Sequence, residues 1–145
     1  MIYKMERDIK LFVVIGIFSY ILDIYTSKPE YYKTCINSIS VNLELLAHHI
    51  LNIYAQFGWL SNNKILLYGY VFTPLIVLTH WQTNNNKCIL TEYINKKCNI
   101  KDDMPFRDFW YLIGFKKLKN YDTLHKLYLV VAWLVALYKL KYSSP

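Results

Sequence analysis

The chain has 145 residues, a mass of 17.4 kDa and a formal net charge of +7, and 54% of its residues are hydrophobic. This length suits a single domain, and the apolar content excludes a disordered chain. Three cysteines exclude a closed disulfide framework, and four scattered glycines exclude a glycine-rich phosphate-binding loop.

Four apolar stretches follow one another along the chain, at residues 9–25, 39–60, 65–81 and 124–140. A membrane-spanning helix needs about 20 mostly apolar residues. The first and fourth stretches approach this length only if they include charged residues near their ends, where lysines can reach the headgroups. These charged residues are Lys10, Asp23, Lys126 and Lys139.

The stretches predict an all-α, multi-pass membrane helical bundle with about four spans, in a single domain over residues 1–145. Two alternatives remain open at this point. One has two or three spans, and the other is a soluble bundle whose helices are hydrophobic all round.

The connections between the stretches differ in length. Residues 61–64 form a tight polar turn, which predicts an antiparallel hairpin of the second and third stretches. Residues 82–123 form a long loop that needs structure of its own. Within it, residues 102–105 carry acidic residues and a proline typical of a helix start, and Gly114 is a suitable end. The aromatic residues between them indicate a helix lying in the membrane interface, or alternatively one that packs on the bundle.

The second stretch carries polar residues that an apolar span would lack. Glu44, His48, Asn52 and Gln56 recur every four residues and therefore share one helical stripe. Ionisable groups inside a span face the bundle interior or water. The stripe is either a metal, haem, proton or small-substrate site or a hydrogen-bonded seam between helices.

The hairpin places some of these residues near the start of the long loop. Glu44 and His80 are equally far from the turn, at roughly 27 Å for a rise of ~1.5 Å per residue. Glu44, His48 and His80 are therefore placed to converge with Cys88 and Glu92. Histidine, cysteine and carboxylate side chains are ligands for zinc or iron. We take these five residues as a candidate metal site.

The cysteines and lysines bear on the membrane orientation. Cys88 and Cys98 lie in the long loop and are able to pair if that loop is lumenal, with Cys35 on the same side. Lysines flank the spans on both sides, so the charge count does not fix the orientation.

The chain resembles an uncharacterised family of small four-helix membrane proteins in residues 49–92. In that family, a helix with His and Gly precedes a helix that ends before a Cys-Pro-Leu-Thr motif. His49, Gly58, Cys88, Leu90 and Thr91 match this pattern, while isoleucine replaces the proline at position 89. The chain is also similar in style to membrane proteins of giant DNA viruses. Both resemblances imply four spans, and neither implies a reaction.

These observations favour a structural or assembly component of a membrane, either a host or a virion membrane. One alternative is a small membrane enzyme or redox protein with a His/Cys/Glu site at one membrane face. Another is a small transporter or channel subunit that uses the polar stripe. The expected partners are lipid and a second copy of the chain. Nucleic acid is not expected, because 15 of the 17 basic residues are lysines and base readers rely on arginine.

Overall fold

The computed structural model describes residues 2–27, 35, 37–100, 104 and 106–142, and all regular elements in these ranges are helical. The four apolar stretches fall on the four long helices, with the last three residues of the second stretch in a 3-10 turn, so the predicted all-α fold is confirmed. In chain order the elements are α1 (Ile2–Thr26), α2 (Ile39–Phe57), a 3-10 turn (Gly58–Leu60), α3 (Lys64–Thr83), α4 (Ile89–Lys97), α5 (Phe109–Leu112), a second 3-10 turn (Phe115–Lys117) and α6 (Tyr121–Tyr142).

Within the described residues, three helices are long and apolar enough to cross a membrane. They are Met5–Thr26 within α1, the whole of α3 and the whole of α6. The second predicted span is helical, but α2 does not reach this apolar level because its polar stripe lowers its mean hydropathy.

The long helices pack as two antiparallel pairs. In the first pair, α1 lies along α2, where Tyr20 donates a hydrogen bond to Asn42 at 3.0 Å. In the second pair, α3 lies along α6, and the Trp133 indole N–H donates to the carbonyl of Val71 at 3.0 Å. The turn between α2 and α3 joins the two pairs.

The predicted hairpin of α2 and α3 is confirmed by a capped turn. The Asn63 side-chain oxygen accepts hydrogen bonds from the backbone N–H groups of Ile65 and Leu66, which begins α3. Across the hairpin, the Tyr54 hydroxyl donates to the Leu66 carbonyl at 2.6 Å.

The same turn also holds the ends of the outer helices. Ser61 Oγ donates to the Asp8 carboxylate of α1 at 2.6 Å, and Lys139 Nζ of α6 donates to the Ser61 carbonyl at 2.6 Å. We call this end of the bundle the turn face. The opposite end, which carries Cys35 and α4, is the loop face.

The long loop has two short helices instead of the single interfacial helix that the aromatic pattern predicts. Helix α5 is one turn long. It begins where the Asp108 carboxylate accepts from the Tyr111 N–H at 2.8 Å, and it ends before Gly114, whose φ is +99°. Residues 102, 103 and 105 of the predicted helix start lie outside the described residues.

The aromatic residues of α5 pack on the bundle. The Phe109 ring lies 5.5 Å from the Phe57 ring, and the Trp110 indole N–H donates to the Gln56 side-chain oxygen at 3.0 Å. These contacts agree with the alternative expectation, in which the loop helix covers the bundle.

The long helices bury polar side chains and expose apolar ones. Asp23 and His49 have no exposed surface. On the outer side of α2, by contrast, Ile39, Leu43 and Leu51 are 78%, 61% and 56% exposed. Soluble proteins rarely expose apolar surface so continuously. The bundle therefore has an apolar exterior, and its interior buries polar side chains among apolar ones.

Close packing of α1 on α2 depends on Gly16. A Cβ at this position would lie 2.6 Å from Ile50 Cγ1 and 2.8 Å from Ile50 Cα, so the backbones would have to separate. We expect Gly16→Ala to lower the free energy of unfolding by roughly 1–3 kcal/mol through overpacking, as measured by denaturation in detergent with circular dichroism.

Gly69→Ala is the matched control for this substitution. Its Cβ would meet only the Tyr54 hydroxyl oxygen, at 3.0 Å, and a side-chain end can shift more easily than a backbone. If both variants lose the same free energy of unfolding, the close approach of α1 and α2 at Gly16 is contradicted.

Candidate functional site

The structure brings two of the five predicted metal-site residues into direct contact. Cys88 is the residue before α4, and its Sγ lies 3.6 Å from His48 Nε2 of α2. The His48 ring is stacked on the Phe106 ring at a centroid distance of 3.7 Å and an interplanar angle of 14°. Stacking fixes the ring, so its Nε2 atom is held toward the thiol.

His80 lies beside this pair and has a different partner. Its Nε2 atom accepts the backbone N–H of Ile89, the residue after Cys88, at 3.1 Å. The imidazole therefore holds the start of α4 against the end of α3. The predicted approach of His80 to the start of the loop agrees with this contact.

The two glutamates of the predicted set are engaged in other interactions. Glu44 accepts from Lys97 Nζ at 2.6 Å, and this hydrogen bond raises the pKa of the Lys97 ammonium group. Glu92 accepts from the Asn84 side-chain amide at 2.8 Å. Both contacts stabilise α4 on the loop face.

Across the described part of the chain, no group of three or more His, Cys, Asp or Glu side chains is arranged to hold a metal ion. The side chains of Cys88 and His48 provide two ligand atoms, fewer than the four of a structural zinc site. The zinc or iron site thus remains a prediction.

A second cluster, which the sequence does not single out, lies between α1, α2 and the long loop. His49 links Ser19, whose Oγ is 3.0 Å from Nδ1, to Asp23, whose Oδ2 is 3.2 Å from Nε2. Arg107 completes the cluster with an ion pair to Asp23 Oδ1 at 3.3 Å. We call these four residues the buried polar chain.

Asp23 lies near the end of α1, as the sequence indicates, and this cluster explains its burial. Asp23 has no exposed surface, because Arg107 reaches over the end of α1 and pairs with it. Arg107 also donates to Ser27 Oγ and Thr26 Oγ1, each at 2.6 Å. The available sequence signal was the pair Ser19 and Asp23, four residues apart within an apolar stretch.

Serine, histidine and aspartate are also the residue types of a hydrolase triad. A nucleophile has to meet its substrate, however, and Ser19 has no exposed surface. The buried polar chain is therefore a structural seam, in which every charge is paired with a neighbour.

A further network ties the polar stripe of α2 to α6. Gln56 contacts the His125 ring, and His125 Nδ1 lies 3.5 Å from Asp108. The Tyr121 hydroxyl donates to the same carboxylate at 2.6 Å. Gln56 and His48 are both buried, which agrees with the expectation that the stripe faces the interior.

The structure assigns the cysteines differently from the expected Cys88–Cys98 pairing. Cys35 and Cys98 form a disulfide across 63 residues, and both are buried with Val41 and Ile94. Cys88 precedes α4 and Cys98 follows it, so the nine residues of the helix hold the two cysteines apart. Cys88 is therefore a free thiol.

No family model matches this chain, and no curated protein or solved structure matches it either. The functional argument therefore depends on the geometry of the chain itself.

The buried polar chain predicts a strong stability effect at Arg107. We expect Arg107→Met to lower the free energy of unfolding by roughly 3–5 kcal/mol, because the Asp23 charge loses its guanidinium partner in a buried position. Denaturation in detergent measures this loss. The control is Arg7→Met, since the Arg7 side chain is 68% exposed and its ion pair contributes at most about 1 kcal/mol.

A double variant separates charge from packing. Asp23→Asn combined with Arg107→Met removes both charges, so we expect it to recover part of the stability lost in the single Arg107 variant. If the double variant loses more free energy of unfolding than the two single variants lose together, the ion-pair explanation is contradicted.

Proposed function

We propose that this chain is a four-span integral membrane protein that serves as a structural or assembly component of its membrane. The observation that carries this proposal is the apolar exterior of the long helices, together with the polar side chains that are buried between them. Burying apolar groups gives no advantage in lipid, where van der Waals packing and hydrogen bonds hold helices together.

The disulfide supports four spans rather than three. Cys35 follows α1 and Cys98 follows α4, so α2 and α3 are the two long helices between them. Two bonded cysteines lie on one side of a membrane, which requires an even number of crossings between them. Because α3 is long and apolar enough to cross, α2 crosses as well.

The exposed side of α2 is compatible with lipid. Ile39, Leu43 and Leu51 form an outward stripe, whereas His48 and Gln56 face inward. The low mean hydropathy of α2 thus reflects its interior side, where His49 and Gln56 have hydrogen-bond partners in place of water.

The disulfide also supports an orientation. Disulfides persist in oxidising compartments, so we place the loop face there and the turn face in the cytosol. Lys10, Lys64, Lys139 and Lys141 then lie at the cytosolic ends of the spans, and the orientation rests on the disulfide because the long loop is also rich in lysine.

The structural role is supported by the way the interior polar groups are used. The buried polar chain joins α1, α2 and the long loop, and the Gln56 network joins α2 and α6. In both networks the polar atoms bind one another. Their arrangement holds the helices in register and offers no open substrate site.

The number of spans can be tested with glycosylation acceptor sites in microsomes. Lys101→Thr creates an acceptor at the exposed Asn99, and we expect modification of this site in the lumen. Acceptor tags added at either terminus should remain unmodified. The protein should also resist alkaline extraction from the membrane.

The three-span alternative gives a different pattern. If α2 does not cross, the two termini lie on opposite sides, and one of the two tags is glycosylated. Release of the protein by alkaline extraction would contradict membrane insertion altogether.

A further inference from the structure

We propose that Cys88 and His48 form a thiol-exchange site that accepts a small anionic disulfide on the loop face. Cys88 is partly exposed at the start of α4, so a disulfide in solution can approach it. Its Sγ lies 3.6 Å from His48 Nε2. The inference rests on the proposed membrane orientation, which places this face in an oxidising compartment.

Two buried polar groups near the thiol have atoms without a hydrogen-bond partner among the described residues. They are Nδ1 of His48, which is 6% exposed, and Oγ1 of Thr91, which is 9% exposed. Thr91 is three residues after Cys88 and shares its side of α4. Buried polar atoms usually have partners, so these two are available to a bound polar group.

The charges around the thiol favour an anion. Lys87 directly precedes Cys88, and Lys126 reaches the same turn, where its Nζ donates to the Asn86 side chain at 2.6 Å. The nearby carboxylate of Glu92 is bound to the Asn84 amide. Lys87 and Lys126 thus place positive charge at the turn before Cys88, and this charge attracts a negatively charged disulfide.

Three further ionisable side chains near these elements have partners of their own. Glu44 and Lys97 neutralise one another at the far end of α4. His80 accepts the Ile89 N–H and does not contact the thiol. His48 is thus the imidazole that the thiol contacts.

The exchange step balances without a further reactant. The Cys88 thiol passes its proton to His48 Nε2, and the sulfur attacks one sulfur atom of the disulfide. A new S–S bond forms to Cys88, the original S–S bond breaks, and the departing thiolate takes the proton from His48.

Glutathione disulfide is the probe for this site. The chain has three cysteines and two form the disulfide, so Cys88 is the sole thiol of the native protein. The protein in mild detergent is mixed with the probe at several pH values, and the rate of adduct formation is followed by intact mass. We expect His48→Gln to slow the reaction about tenfold at neutral pH. The difference should shrink at alkaline pH, where hydroxide removes the thiol proton.

His80→Gln is the matched control, because glutamine can still accept the Ile89 N–H. We expect its rate to stay within about twofold of the native rate. Equal slowing in both variants would indicate a structural effect and overturn the proposal. A His48→Gln rate equal to the native rate at every pH would also overturn it.

Two further outcomes are separated on the same samples. A covalent dimer through Cys88 on a non-reducing gel, without a glutathione adduct, would mean that the thiol reacts with a second copy of the chain and not with a small disulfide. This result would overturn the proposal. Alkaline extraction and a count of free thiols test the membrane and disulfide assignments independently. A membrane protein with one free but unreactive thiol would retain the proposed function and lose the exchange site.

Discussion

The buried charge of Asp23 is the constraint on which much of the structure depends. A carboxylate without exposed surface requires partners, and it has His49 on α2 and Arg107 from the long loop. These contacts fix α1 to α2 and bring residues 106–108 onto the loop face. Phe106 then lies against both imidazoles of α2, at 3.7 Å from His48 and 4.8 Å from His49.

The same constraint extends to the two ends of the long loop. Because Arg107 is anchored at Asp23, the next residue, Asp108, reaches the start of α5 and binds the Tyr121 hydroxyl at the start of α6. The disulfide fixes the other end of α4. The loop between α3 and α6 is thus attached to the bundle at several points, and His48 is held in place beside Cys88.

The candidate site was predictable where it followed from helix geometry alone. Equal distance of Glu44 and His80 from the turn, with His48 one helical turn away from Glu44, places these residues near the start of the long loop. In the structure, His48 and His80 contact Cys88 or its neighbour. The roles of Glu44 and Glu92 were not predictable. Glu44 binds Lys97 and Glu92 binds Asn84. Both pairings depend on where α4 docks on the bundle.

The sequence by itself determined the four helices, the capped turn at Asn63 and the inward direction of the polar stripe, because these depend on local hydrophobic patterns and short-range hydrogen bonds. Tertiary structure alone decided the burial of Asp23 and the choice of Cys35 as the partner of Cys98. Each of these results from contacts between residues far apart in the chain. Such contacts depend on how the helices and the long loop pack, and a local sequence pattern contains no information about that packing.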